Sequence, residues 1–124
     1  MVIVTHEDRV LVGIRPHDAA EAAGSHEFPG GKVEPGETVA MAAARECLEE
    51  AGVAVRVGSV LDEAESTSAA APRRIVFLAA TPADATIEPR PPFRWLTRAE
   101  LSRCNFPAAN ARVVARLVSG QGGS

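Results

Sequence analysis

Three glutamates, Glu46, Glu49 and Glu50, stand three and four residues apart in an otherwise alanine-rich run. On a helix those intervals place all three on one face. Carboxylates held that close repel one another, and a hard divalent cation turns the repulsion into attraction. Mg²⁺ suits such a face, because it takes a few carboxylates and completes its shell with water and substrate phosphate oxygens; Mn²⁺ is the natural substitute. Arg45 lies four residues before Glu49 and can hold that carboxylate by a charge-assisted hydrogen bond. The ordinary alternative is an acidic helix face that is merely solvated, so what flanks the helix decides between the two.

The element that would position the acids is a helix from about Thr38 to Gly52. Thr38 can cap its N-terminus, alanines propagate it, and Gly52 stands where a helix commonly stops. Ahead of it, Glu27-Phe28-Pro29-Gly30-Gly31-Lys32-Val33-Glu34-Pro35-Gly36-Glu37 is rich in glycine and proline and reads as a loop. Loop and helix together fix Gly31, Glu37, Arg45, Glu46, Glu49, Glu50 and Gly52, with Val53 in a final aliphatic place. At this spacing they resemble the Nudix box, the signature of the Nudix hydrolases. Cys47 stands where Leu, Ile or Val is usual; it is small and apolar, so the departure is mild.

The resemblance implies hydrolysis of a diphosphate linked to another group, with Mg²⁺ as cofactor. It implies Glu46, Glu49 and Glu50 as metal ligands, the Gly30 carbonyl as a further one, and Glu37 as the organiser of loop and ligands. Glu46 also matches a position proposed as general base in some relatives. Glu88, seven residues before Trp95, is nominated as an extra ligand or base, with Glu63 and Glu65 as rivals. Two stretches resemble the MutT-type members: the loop from Glu27 to Glu34, and Asn105-Phe106-Pro107-Ala108-Ala109-Asn110 near the C-terminus. In that group the residue at the place of Asn110 binds the edge of an oxidised purine, and an amide has a donor and an acceptor side by side for the purpose. Here Ala108 replaces a proline of the pattern. The implied substrate is 8-oxo-dGTP, cut to monophosphate and pyrophosphate. Arg15 and Lys32 are candidates for phosphate contact, Glu27 is a further substrate-binding candidate, and Phe28 is one for packing against the sheet or a bound base. The rival readings are a Nudix hydrolase of a CTP-type nucleotide or of ADP-ribose, and a nucleotide sensor that does not cut. The intact Arg45, Glu46, Glu49 and Glu50 favour catalysis.

The whole chain agrees with this chemistry. Its 124 residues suit one domain, 1–124, and 46% of them are apolar. The formal net charge of −3 argues against a sequence-independent binder of nucleic-acid polymers. Cys47 and Cys104 form no Cys-x-x-Cys pair, so reduced thiols and a cytoplasmic setting are expected, and a zinc site is not supported. No run is long and apolar enough for a membrane span, and no leader pattern precedes the first strand. A monomer is expected. Relatives usually carry several residues before that strand, so a shortened N-terminus or a missed upstream start is expected; such residues often help line the base pocket.

Along the chain, strands are predicted at 1–5, 10–14, 53–61 and 75–80, with a short one at 93–96. Residues 18–24 read as loop, 62–72 as a polar mobile segment, and 82–92, with four prolines, as irregular. Thr97 and Glu100 form a capping box, and an amphipathic helix spans 107–118. Strands flanking one long helix, with a second helix closing the chain, give an α+β fold. The resemblance implies the same, an α/β/α sandwich with a mixed β-sheet between helices.

Overall fold

A computed structural model of the chain describes residues 1–15, 24–66 and 73–120. The strands are β1 (Val2–His6), β2 (Arg9–Ile14), β3 (His26–Glu27), β4 (Val55–Ser66), β5 (Arg73–Pro82) and β6 (Arg94–Thr97). Helix α1 spans Val39–Ala51 and α2 spans Ala111–Val118, with 3₁₀ turns at Ala99–Arg103 and Ala108–Asn110. The six strands make one sheet in the order β3-β2-β1-β5-β4, with β6 also pairing to β2. β1 and β5 run parallel and the remaining pairs antiparallel, so the sheet is mixed.

The alternation of β1 divides the core. Val2 and Val4 pack with Leu11, Val53 and the α1 residues Ala43, Cys47 and Ala51. Ile3, between them, packs on the opposite face with Val10, Val12, Leu101 and the α2 residues Val113 and Leu117. Successive side chains of a strand point to opposite faces, so one buried strand feeds two apolar layers. The result is the expected α/β/α sandwich. Arg98 joins the α2 layer: it is buried, and its Nη1 donates to the Leu117 carbonyl at 3.2 Å.

Three boundaries differ from the sequence reading. Residues 62–66, expected to be mobile, extend β4, pairing from Asp62↔Phe77 to Ser66↔Arg73. β4 is the last strand on its side of the sheet, and an edge strand carries polar side chains without cost. The loop before α1 begins with a short strand, β3, pairing His26 with Ile14 and Glu27 with Gly13. The C-terminal helix is preceded by a separate 3₁₀ turn rather than running from Pro107. The expected loop at 18–23 and segment 67–72 lie outside the described residues. The capping box is present: the Thr97 amide donates to Glu100 Oε1 at 2.9 Å and the Glu100 amide to Thr97 Oγ1 at 3.2 Å.

β2 passes tightly over Phe93, and a Cβ on Gly13 would stand 2.7 Å from that ring, itself buried beneath α1. Gly13→Ala is expected to cost about 1–3 kcal/mol by urea denaturation, the usual penalty for overpacking. Gly58→Ala, whose added carbon would meet only an ordinary 3.5 Å contact with the Ala79 carbonyl, should show no such loss.

Candidate active site

Helix α1 starts and stops where its end residues direct. The Thr38 hydroxyl accepts from the Met41 amide at 3.1 Å, and Gly52 closes the helix with φ 70°, a left-handed conformation open to glycine. The buried side holds Ala42, Ala43, Cys47 and Ala51, which leaves the acids on the side facing the preceding loop. Cys47 is fully buried, and burial pushes its thiol up to about 12, so it serves as the small apolar residue that its place in the pattern requires.

Arg45 is the hub of the assembly. Its Nε and Nη2 grip both oxygens of Glu37, at 2.7 and 3.0 Å. Its Nη1 donates to Glu46 Oε1 at 2.7 Å and to Glu49 Oε2 at 3.3 Å, and Nη2 also reaches the Lys32 carbonyl at 3.1 Å. Glu34 lies 3.8 Å from Nη1. Glu37 in turn accepts from the Glu34 amide at 2.9 Å, so one guanidinium ties the loop to the helix through a side chain that also shapes the loop. Hydrogen bonds from Arg45 and from the Glu34 amide hold Glu37 below the usual carboxylate range, and the same carboxylates keep Arg45 firmly protonated. Glu37 is thus bonded both to the loop, through the Glu34 amide, and to the helix, through Arg45. The expected Arg45–Glu49 contact is present but is the longest of the Arg45 hydrogen bonds.

The second tie runs through Glu50. Its Oε1 accepts from the Gly30 amide at 2.9 Å. Burial raises its pKa, the Gly30 bond opposes that, and the charges of Glu46, Glu27 and Glu49 raise it further. The loop can come this close because it is glycine. A Cβ on Gly31 would stand 2.6 Å from the Glu46 carboxyl carbon, and one on Gly30 would stand 2.7 Å from Met1 Cα. Glu27 and Arg15, separate candidates in the sequence, are brought together, with Arg15 Nη1 3.4 Å from Glu27 Oε1. Burial raises the Glu27 carboxyl as well, against the pull of Arg15. Arg15 Nε is buried and has no hydrogen-bond partner among the described residues.

The remaining candidates are more widely placed. Phe28 is 1% exposed, stacked on Phe106 with ring centroids 4.8 Å apart and set edge-on to Phe77. Of the two partners the sequence allowed it, the core is the one it has. Lys32 is exposed and meets Arg45 through its carbonyl. Asn110 is 2% exposed, at the turn into α2, and its Nδ2 has no hydrogen-bond partner among the described residues. Glu88 is exposed in the irregular segment between β5 and β6. Two residues on, Arg90 fastens that segment to the end of α1: its amide donates to the Ala51 carbonyl at 2.8 Å and its Nη1 to the Glu49 carbonyl at 2.7 Å. Arg90 was missed in the sequence, as was His26, whose Nδ1 accepts from the Asn105 amide at 3.0 Å. That pairing links β3 to the segment before Asn110. Neither residue sits in a periodic or motif position that would mark it. Glu63 and Glu65 lie elsewhere, with Arg74 and Arg112 on a groove of about 650 Å³ that no residue of the Gly31–Val53 pattern lines.

Among the described residues no three His, Cys, Asp or Glu side chains converge closely enough to hold a metal ion. Glu46 and Glu49 turn towards Arg45 and Glu50 towards Gly30. The donors are nonetheless of the right kind, all oxygens on one helix face, and the charges of Glu46 and Glu49 weigh on Glu50 in a way that a cation would relieve.

The Glu37 pair has a pH signature. A carboxylate depressed in the fold adds stability above its unfolded pKa, and that stability is lost as pH falls through the depressed value. Arg45→Gln is therefore expected to return the Glu37 carboxyl towards its ordinary pKa in a ¹³C-detected titration. It should also remove part of the acid-side slope from denaturation midpoints measured across pH.

The sequence matches the NUDIX domain over residues 1–117. It is 30% identical over 120 residues to the 8-oxo-dGTP diphosphatase of Escherichia coli (strain K12), covering 93% of this chain and 91% of that one. The structure is similar to that of the E. coli ORF135 protein, at 25% identity and a TM-score of 0.71, covering 95% of this chain and 85% of that one. It is also similar in fold to a NUDIX hydrolase from Nitrosomonas europaea, at 23% identity and a TM-score of 0.76, covering 98% of this chain and 72% of that one. The chain therefore belongs to the NUDIX domain family and is a MutT-like Nudix pyrophosphohydrolase.

Proposed function

We propose that this protein hydrolyses 8-oxo-dGTP to the nucleoside monophosphate and pyrophosphate, with Mg²⁺ as cofactor, and so removes an oxidised nucleotide from the precursor pool. The observation that carries the substrate is Asn110. A buried amide with an unpaired donor costs about 1–3 kcal/mol, a cost that a ligand acceptor removes. The Hoogsteen edge of 8-oxoguanine offers O6 as acceptor beside N7–H as donor, which matches the Nδ2 and Oδ1 of one amide. Unmodified guanine presents N7 as a second acceptor and meets Oδ1 with repulsion. The likeness to the E. coli 8-oxo-dGTP diphosphatase supports the same reading.

On this reading Glu46, Glu49, Glu50 and the Gly30 carbonyl would hold the cation, with Glu88 as a further ligand or base. Bound there, Mg²⁺ neutralises phosphate oxygens and lowers the pKa of an attacking water. The chain's own groups do the positioning. Arg45, locked to Glu37 by two hydrogen bonds, sets the direction of Glu46 and Glu49. The Gly30 amide sets that of Glu50. Arg15 and Lys32 would meet phosphate, with Glu27 orienting Arg15 through their 3.4 Å contact. Phe28 supports the base site from within the core by holding Phe106, four residues before Asn110.

The direct test is kcat/KM for 8-oxo-dGTP, dGTP, CTP and ADP-ribose with Mg²⁺, following the phosphate products. A preference for 8-oxo-dGTP with release of pyrophosphate is expected; activity confined to another compound would discard the substrate. Asn110→Ala should erase most of the preference for 8-oxo-dGTP over dGTP while sparing turnover of ordinary nucleotides.

Glu50→Gln should remove most activity and keep the fold. Because Glu50 is raised in the fold, its charge costs stability at pH values above its folded pKa, and the cost fades as pH falls towards the unfolded value. The variant should therefore melt higher than wild type in EDTA at neutral pH and gain less from added Mg²⁺. An unchanged Mg²⁺-dependent rise in melting temperature would remove Glu50 from the ligand set.

A further inference from the structure

The amide of Asn110 reads a base edge only if its aim is fixed, and Asn110 sits on a 3₁₀ turn of three residues, Ala108–Asn110, with alanine on either side. Such a turn has little side-chain packing of its own. What holds it is found just downstream, on the first two turns of α2. Arg112 grips Asp62 with both Nε and Nη2, at 2.6 and 2.8 Å, and Nη2 also donates to the Glu63 carbonyl at 2.7 Å. Arg116, one helical turn later, donates from Nη1 to the Leu61 carbonyl. Two arginines four residues apart thus seize three consecutive residues of β4.

The receiving strand is shaped for this. From Val57 to Val60 β4 spends three residues against two on β5 (Ala80 to Leu78), and from Val60 to Asp62 two against one (Leu78 to Phe77). Each irregularity is a bulge, which kinks the strand and leaves a residue out of the ladder. Leu61 is the residue left out of the second, and its carbonyl is the one that Arg116 takes. The Asp62 side chain is only 15% exposed although Arg112 is 69% exposed, so the carboxylate is the fixed member of the pair. An exposed ion pair by itself contributes little, but a planar fork with three acceptors specifies geometry as well as energy.

We propose that Arg112 and Asp62, seconded by Arg116 on Leu61, form a clamp that positions Asn110 and thereby sets base selectivity. The clamp acts through Asn110 and touches no phosphate chemistry. It rests on the base-reading role given to Asn110 above. Lysine cannot replace Arg112, since one ammonium cannot meet both Asp62 oxygens and the Glu63 carbonyl in a plane.

The test uses Arg112→Ala, Arg112→Lys, Asp62→Asn and Asn110→Ala, with two readouts. One is the side-chain NH₂ resonances of Asn110 in ¹H–¹⁵N spectra of the metal-free protein, which need no substrate. The other is the ratio of kcat/KM for 8-oxo-dGTP to that for dGTP, with kcat on dGTP recorded separately. The expected result is that Arg112→Ala and Asp62→Asn shift or broaden the Asn110 NH₂ pair and lower the ratio about tenfold, through KM for 8-oxo-dGTP. kcat on dGTP should stay within about twofold, and Arg112→Lys should behave as the alanine variant does. An unmoved Asn110 pair in a folded Arg112→Ala protein overturns the clamp. So does a moved pair with an unchanged ratio, provided that Asn110→Ala lowers the ratio. If Asn110→Ala leaves the ratio unchanged, the base-reading role fails, and the selectivity half of the clamp fails with it.

Discussion

One guanidinium holds this site in shape. Arg45 stands among Glu34, Glu37, Glu46 and Glu49 and also binds the Lys32 carbonyl, so a single side chain fastens the glycine-rich loop to the helix that carries the acids. Without it the loop would face a helix end crowded with like charge. With it the loop lies close enough for the Gly30 amide to reach Glu50 and for Gly31 to lie against Glu46. The glycines and the arginine are therefore one constraint: the charge network pulls the loop in, and only residues without a Cβ allow it to arrive.

The sandwich presents that constraint at one end of the sheet. α1 rests on Val2, Val4 and Leu11 through Ala43, Cys47 and Ala51, which fixes the rotation of the helix and hence the direction of its acids. β1 is tied to the loop by the Val2 amide, which donates to the Pro29 carbonyl at 2.9 Å. On the opposite face α2, held by Arg98 and packed through Val113 and Leu117, carries the turn of Asn110. α1 with its acids and α2 with the turn of Asn110 thus belong to different layers, with the sheet between them. His26 to Asn105 and Phe28 to Phe106 tie the start of the glycine-rich loop to the segment before Asn110.

What could be read from the sequence was what local rules encode. The limits of α1 followed from Thr38 and Gly52, the β1 core from its unbroken apolar run, the capping box from Thr97 and Glu100, and the acids from their spacing. What could not be read was long-range pairing. Residues 62–66 looked mobile because an edge strand needs no apolar pattern, and their partners, Phe77 to Arg73, lie beyond an intervening segment. Arg90, His26 and Arg112 each act on backbone or carboxylate groups dozens of residues away, and a lone arginine or histidine in a polar stretch carries no sign of its partner. Phe28 was left between packing on the sheet and packing on a bound base, and only the fold shows that Phe106 covers it.

The charge arrangement also orders the acids by availability to a cation. Four carboxylates face one guanidinium at Arg45, so the loop–helix junction is short of positive charge. Glu37 is the least available of them: both its oxygens are taken by Arg45, and its ionised form is already favoured. Glu46 and Glu49 share the single Nη1, which an incoming cation would displace from between them. Glu50 leans on a neutral amide, is partly desolvated and feels the charge of Glu46, Glu27 and Glu49, so it gains most when a cation arrives. Differences of environment divide the labour among four chemically identical side chains. Glu37 is bound on both oxygens by Arg45; on the proposed reading Glu46 and Glu49 would exchange the guanidinium for the metal, and Glu50, already crowded by like charge, would gain most from it.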